Sequence, residues 1–333
     1  MSCSYVVSRP FPTSNVGSNL ASLAGAVLLA QKLGRFLIVD WRGMEQLQDK
    51  SVNYFAEFFE QRSTLLGVPT SYAPIAGAEY RREAGTPWLS PNDAAAAIGG
   101  SLKVADAEYL VLEQYHGLDR LMPGPEDERF AFLRRFYREI APEPELRTAI
   151  DDWADGHFGG RFVVGINIRT GNGAYFGRGM QYAGRVNLRV LEDEARLALA
   201  LARAVRRLVR HLPRSVRAAT TTFYATDSQP MSRVLSTVPN AISRRQTYPP
   251  PDTGDLYSFD GAPEEDRASV VDTLADMFLL ARCDALIYNN SLFNQYARVL
   301  NAYFGGNMIH VDMLFVGPRL RSLTSAARRR IRR

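Results

Sequence analysis

Three polar clusters in this chain each follow an apolar run and hold residues able to grip a diphosphate. They are Arg169 with Gly171, Asn172 and Gly173; Asp227 with Ser228; and Asn289-Asn290-Ser291. The first says most. Phe162-Val163-Val164-Gly165-Ile166-Asn167-Ile168 is rich in β-branched residues and stops at Arg169 and a glycine-rich turn. A short apolar run bounded by a turn predicts a buried parallel strand. Open α/β sheets bind ligands beyond the carboxyl ends of their strands. A guanidinium there forks onto phosphate oxygens and never loses its charge. A salt-bridged surface arginine is the other role open to Arg169. Ser291, at the start of a predicted helix, adds free backbone N–H groups and a positive dipole end, a ready phosphate site. Asp276 interrupts the apolar helix stretch 273–278. It is either an exposed or capping helix residue or, if buried, an acceptor for the N–H edge of a base, because a buried carboxylate needs donors.

The elements that must position these residues alternate between strand and helix. Residues 4–8 read as a strand, 19–33 as a helix apolar nearly all round and stopped by Gly34, and 36–39 as the next strand. That is a βαβ unit of a parallel sheet. The stretch 45–160 is harder to parse, with a strand at 109–112 and helices at 126–137 and 143–158. Gly159-Gly160 marks a natural boundary. Beyond it come strand 162–168, a polar loop to residue 187, helix 191–212, strand 220–225, helix 269–282, strand 285–288, helix 292–303 and a last strand at 308–311. The expected fold class is therefore α/β, two Rossmann-like domains facing a cleft. Residues 1–160 form the N-terminal domain, 161–317 the C-terminal domain, and 318–333 a basic tail.

Composition narrows the function. The formal charge is +5, but the tail from Pro318 holds seven arginines and no acid, so the body without it sits at −2. A nucleic-acid-binding body is not expected. The tail reads as a solvated, frayed terminus, or else as a weak contact for anionic lipid. Cys3 and Cys283 belong to no metal or redox spacing, and two cysteines build no disulfide framework. The apolar stretch 20–30 is too short to span a bilayer and runs on into a strand, which argues for a buried helix rather than a signal peptide. A cytoplasmic location follows, peripheral at the inner membrane face if the tail reaches it. No D-x-D is present, and the four histidines (His116, His157, His211, His310) lack ligand spacing, so neither a metal nor a cofactor is expected.

Five stretches in order carry a family resemblance: Gly17-Ser18-Asn19-Leu20 with Ser22-Leu23; Gly34-Arg35 through Asp40-Trp41-Arg42-Gly43; Gly165 to Arg169 with Gly171-Asn172-Gly173; Thr226-Asp227-Ser228; and Asp276 to Cys283 with Tyr296-Ala297-Arg298. In these the chain resembles the bacterial nodulation fucosyltransferase (NodZ) family and, more distantly, the core α1,6-fucosyltransferases and protein O-fucosyltransferases. The resemblance implies a GT-B-like fold and metal-independent, inverting transfer of a sugar, typically fucose from GDP-fucose, to a hydroxyl of a glycan or small-molecule acceptor. It implies that Arg169 binds the β-phosphate and stabilises the leaving diphosphate. It puts Asp276 on the acid that helps read guanine, and Ser291, Leu292 and Phe293 on the turn that grips the phosphates. Asp227 and Ser228 fall on a turn near the nucleotide, and Gly17, Asn167, Gly171, Asn172 and Asn290 join the same nucleotide-sugar site.

The chain departs from that pattern at Asn167, where the family has a histidine, and at Ala174, where it has a glutamate. No acid lies between Arg169 and Glu192. A general base must come from elsewhere, such as Asp40, or deprotonation must be late. Two other functions stay open. One is a non-catalytic relative that binds a sugar nucleotide or glycan. The other is a nicotinamide oxidoreductase, since Asp40 lies about twenty residues beyond Gly17, as a ribose-binding acid would. That second option has one glycine where three are wanted. Trp41, Trp88, Tyr175, Phe176 and Tyr182 are either sugar-stacking or packing aromatics.

Overall fold

The structure is a computed structural model that describes residues 4–10, 16–44, 49–74, 88–104, 107–113, 118–168, 194–227, 229–245, 267–289, 293–301 and 308–310. The chain divides into two compact units, Met1–Trp153 with Phe259–Ala275, and Ala154–Ser258 with Asp276–Arg333.

The first unit holds β1 (Tyr5–Arg9), α1 (Val16–Leu33), β2 (Phe36–Val39), α2 (Tyr54–Phe58), β3 (Thr64–Leu65), β4 (Val68–Ser71), β5 (Trp88–Leu89), α3 (Pro91–Ile98), β6 (Tyr109–Glu113), α4 (Leu118–Leu121), α5 (Glu126–Glu139) and most of α6 (Pro144–Phe158). Its sheet runs β3-β4-β2-β1-β6-β5 and is parallel apart from the β3–β4 hairpin. α1 carries no charge before its last turn and is buried almost throughout. It stops where the sequence says it should. Gly34 takes φ +63°, and the Arg35 N–H returns to the Ala30 carbonyl at 3.0 Å, the bond that satisfies an orphan helix carbonyl. The Arg35 side chain then turns inward, donating from Nη1 to the Ala107 carbonyl at 2.7 Å and from Nη2 to the Val104 carbonyl. It ties the start of β2 to the segment leading into β6.

The β3–β4 loop is two residues, Leu66 and Gly67, with φ of +49° and +78°. Positive φ at both positions is the twist a tight hairpin wants, but a leucine pays for it in steric strain. Glu139 Oε2 accepts from the Leu66 N–H at 2.6 Å and helps hold the turn. Leu66→Asn is expected to raise stability by about 0.5–1 kcal/mol. Chemical unfolding followed by circular dichroism checks this, and a lower unfolding midpoint would count against the strain.

The second unit holds β7 (Val163–Asn167), α7 (Glu194–Val209), α8 (Arg214–Ala218), β8 (Thr221–Ala225), α9 (Gln229–Ser236), β9 (Ala241–Ile242), the end of α10 (Arg267–Ala281), β10 (Ala285–Tyr288), α11 (Phe293–Asn301) and β11 (Met308–His310). All five strands are parallel, in the order β11-β10-β7-β8-β9. Leu197, Leu201, Ala204, Val205 and Leu208 form an apolar stripe at helical spacing on α7. They bury against Val164, Ile166 and Ile168 together with Met231 and Leu235 of α9. On the other face, a Cβ at Gly165 would meet Cys283 Sγ and Leu286 Cδ2, each at 2.8 Å. The glycine lets Cys283, just past α10, and Leu286 of β10 close on β7. Gly165→Ala is expected to cost about 1–3 kcal/mol by overpacking. A melting temperature equal to that of the parent protein would refute the close approach.

The sequence boundary at Gly159-Gly160 and the compact units differ. α6 passes into the second unit after Trp153, where Phe158 stacks edge-on against Phe223 of β8 with ring centroids 5.6 Å apart.

Candidate functional site

In the second sheet β7 has β8 on one side and β10 on the other, and chain order runs outward from it in both directions. That is a topological switch point, where strand-end loops diverge and leave a crevice for a ligand. Hydrogen bonds lock the strand ends around it. Asn167 Nδ2 donates to the Ala225 carbonyl at 3.0 Å, and Thr226 Oγ1 donates to the Ile168 carbonyl at 2.8 Å. The Asn289 N–H donates to the Asn167 carbonyl at 3.3 Å. Asn294, in the first turn of α11, donates from Nδ2 to the Asn289 carbonyl at 2.9 Å. Sequence neighbours of Arg169, Ser228 and Ser291 thus share one edge of one sheet.

One atom of this lattice is left over. Asn167 is 2% exposed, and its Oδ1 accepts no hydrogen bond from the described residues. The orientation of its amide is fixed, because only the NH2 end can face the Ala225 carbonyl. A buried acceptor without a donor costs about 1–3 kcal/mol, so a ligand hydroxyl or N–H at this point would recover stability that the described residues do not supply.

Of the residues singled out in sequence, Arg169, Gly171, Asn172, Ser228, Asn290, Ser291 and Leu292 lie outside the described residues, as do Ala174, Tyr175, Phe176, Tyr182 and the tail 318–333. Asp227 follows Thr226 at the same edge and is buried, and Phe293 opens α11, also buried. Asp276 is 3% exposed among Leu274, Ala275, Met277 and Phe278, all buried. It is therefore no surface helix residue. Gly17 lies in the first turn of α1, in the first unit.

The structure decides between roles left open for two first-unit residues. Asp40 is fully buried. It accepts from Arg42 Nε at 2.8 Å and Nη2 at 2.7 Å, and pairs with Arg9 Nη1 at 3.0 Å. Burial pushes its pKa up, but the Arg42 hydrogen bonds and the charges of Arg9 and Arg42 outweigh that and hold it below the usual carboxylate range. A carboxylate so held is a poor proton acceptor and has no free oxygen for a ribose hydroxyl, which removes both the general-base role and the dinucleotide fingerprint. Trp41 is fully buried too, edge-on to Phe55 with centroids 5.2 Å apart, and is packing rather than a sugar platform. Cys283 is a buried free thiol whose pKa burial pushes up, which leaves it inert. Among the described residues, no helix is long and apolar enough to cross a membrane.

Two mainly parallel sheets flanked by helices, one with a polar switch point, make the fold of GT-B glycosyltransferases. The model of the nodulation protein Z (NodZ) family matches residues 126–313, and this chain belongs to that family. Nodulation protein Z of Bradyrhizobium diazoefficiens is 28% identical over 93% of this chain and 81% of its own length. The crystal structure of fucosyltransferase NodZ from Bradyrhizobium superposes with a TM-score of 0.61 at 22% identity, covering 90% of this chain and 94% of the other. NodZ α1,6-fucosyltransferase co-crystallized with GDP gives a TM-score of 0.59 at 23% identity over 90% and 93%. The same enzyme soaked with GDP-fucose gives 0.58 at 22% identity over 90% and 92%.

Proposed function

We propose that this protein transfers fucose from GDP-fucose to a hydroxyl of a glycan or small-molecule acceptor, with inversion and without a metal ion. Residues 161–317 hold the donor and residues 1–160 present the acceptor. The observation that carries the reading is the buried Asn167 Oδ1 at the switch point of the second sheet, which no described residue pairs. Family membership, and the related structures co-crystallized with GDP and soaked with GDP-fucose, support the choice of nucleotide.

In this scheme the acceptor oxygen attacks the anomeric carbon from the face opposite the diphosphate. The bond from that carbon to the β-phosphate oxygen breaks, and its electron pair leaves on GDP. Arg169, two residues beyond Asn167, neutralises the charge as it develops, with the α11 N-terminus and Ser291 adding N–H donors. Asp276 accepts from the guanine edge, and Asp227 and Ser228 border the nucleotide. With Asp40 excluded as a base, the acceptor gives up its proton late, to water. The reaction belongs to the cytoplasm, with the arginine-rich tail holding the enzyme at an anionic membrane face.

Thermal stabilisation by GDP, GDP-fucose, GDP-mannose, UDP, dTDP and NAD tests this directly. A ligand at a hundred times its Kd adds about 2.7 kcal/mol. GDP and GDP-fucose are expected to stabilise, with slow release of free fucose from GDP-fucose. Stabilisation by UDP or NAD in place of GDP overturns the donor assignment. GDP binding with no turnover of GDP-fucose, with or without acceptor, marks a binding-only relative.

A further inference from the structure

We infer that the carboxyl edge of the first unit's sheet binds an anionic group on the acceptor, a carboxylate or a sulfate or phosphate ester, through Arg9, with Asp40 as its positioning residue. This rests on the reading that the first unit presents the acceptor. Arg9 ends β1, a central strand flanked by β2 and β6. Its Nη1 meets Asp40 Oδ2 at 3.0 Å and the Asp40 carbonyl at 3.5 Å. Its Nη2 and Nε bond to none of the described residues, and the side chain keeps 23% of its surface exposed. Gly43, at φ +81°, passes close by; its absent Cβ would sit 3.8 Å from Arg9 Nη2.

The charges explain why this is more than a structural ion pair. A buried carboxylate needs one counterion, and Arg42 already supplies it through two oxygens, at 2.8 and 2.7 Å. Arg9 is a second cation on the same acid, so the trio carries a net positive charge. A guanidinium pinned by one prong to a buried carboxylate has its other prong fixed in direction before any ligand arrives. An oxyanion meeting it gains charge-assisted hydrogen bonds without first ordering a long side chain. The ligand class is therefore an acidic sugar or a sugar ester.

The test is fucosyl transfer from GDP-fucose to three oligosaccharides of equal length: one neutral, one bearing a carboxylate, one bearing a sulfate ester. In the parent protein the favoured acidic acceptor is expected to show a KM at least tenfold below the neutral one, the gap narrowing as salt rises. Arg9→Gln is expected to reduce that preference below twofold, Arg9→Lys to keep part of it, and Asp40→Asn to lower it with Arg9 still present. The Kd for GDP, measured on each variant, reports folding and the donor site. Equal KM values for neutral and acidic acceptors in the parent overturn the inference. So does an Arg9→Gln effect confined to the Kd of GDP-fucose, which would assign Arg9 to the donor. GDP that fails to bind the parent at all removes the transfer reading along with this one, whereas GDP binding without acid preference removes this one alone.

Discussion

Arg169→Ala should lower kcat/KM for GDP-fucose by about 10³-fold, most of it in kcat. The reasoning starts from the charge that appears when the sugar departs. A diphosphate leaving without a metal must be met by fixed donors, and removing one such donor from a preorganised site costs roughly 2.7–4 kcal/mol of transition-state stabilisation. In the proposed scheme Arg169 also holds the ground-state diphosphate, so the Kd for GDP should rise, though by less than kcat falls. Arg169→Lys should recover only part of the loss, because an ammonium keeps the charge but not the two-pronged match to phosphate. Single-turnover kinetics on GDP-fucose separate the two effects, with the ligand-free melting temperature as the folding control. A kcat/KM within threefold of the parent would sink the assignment of Arg169 to the leaving group.

The largest stability effect should come from Asp40→Asn, a loss of about 3 kcal/mol, at the low end of what breaking a buried ion pair costs because Arg9 and Arg42 both retain some access to water. The pH dependence has a definite sign. The folded pKa of Asp40 is lowered, with burial opposing and the two arginines prevailing. A lowered carboxylate pKa contributes stability that is fully present above the unfolded value of about 3.9 and disappears as pH falls through the folded one. The difference in unfolding free energy between parent and Asp40→Asn should thus hold steady from pH 5 to 8 and shrink below about pH 4. Urea unfolding across that range measures it. A difference that is nil at pH 7, or that grows as the solution is acidified, would show that the charge on Asp40 does not stabilise the fold.

Much of the second unit was legible because its strands are short β-branched runs punctuated by polar residues. The strand at 285–288 is found residue for residue, and the one expected at 162–168 runs Val163–Asn167. Those same punctuating residues mark the switch point, so Asn167, Thr226 and Asn289 were visible before the fold was. α1 begins at Val16 rather than 19, because Gly17 and Ser18 are buried helix residues that look like loop in isolation. Within the stretch 45–160, much of the part before the strand at 109–112 resisted reading because its elements are brief. α2 is five residues, β3 and β5 are two each, and the hairpin turn carries leucine where glycine or asparagine would have announced it. Asp40 misled for a different reason. An acid at a strand end looks the same whether it waits for a ribose or is clasped by an arginine, and Arg9 lies 31 residues away in the chain. Trp41, its neighbour, stayed open between sugar stacking and packing for a similar reason. Its aromatic partners Phe55 and Phe59 come from beyond a stretch with no periodic signal.

The first unit is built from two separate lengths of chain, and its second length, Phe259–Ala275, comes late. Arg267 at the head of α10 pairs with Glu57 at 3.1 Å and lies over the Phe58 ring, fastening that late strip to the α2 region. A ribosome that has finished Trp153 still has more than a hundred residues to make before the unit has all its parts. At about 5–20 residues per second that is a wait on the order of ten seconds. During synthesis Glu57 and Phe58 wait without the arginine that later caps them, so the yield of fragments cut near residue 160 is expected to depend on the order of the chain. A gene split at the glycine pair would make two pieces, neither of which holds a complete unit.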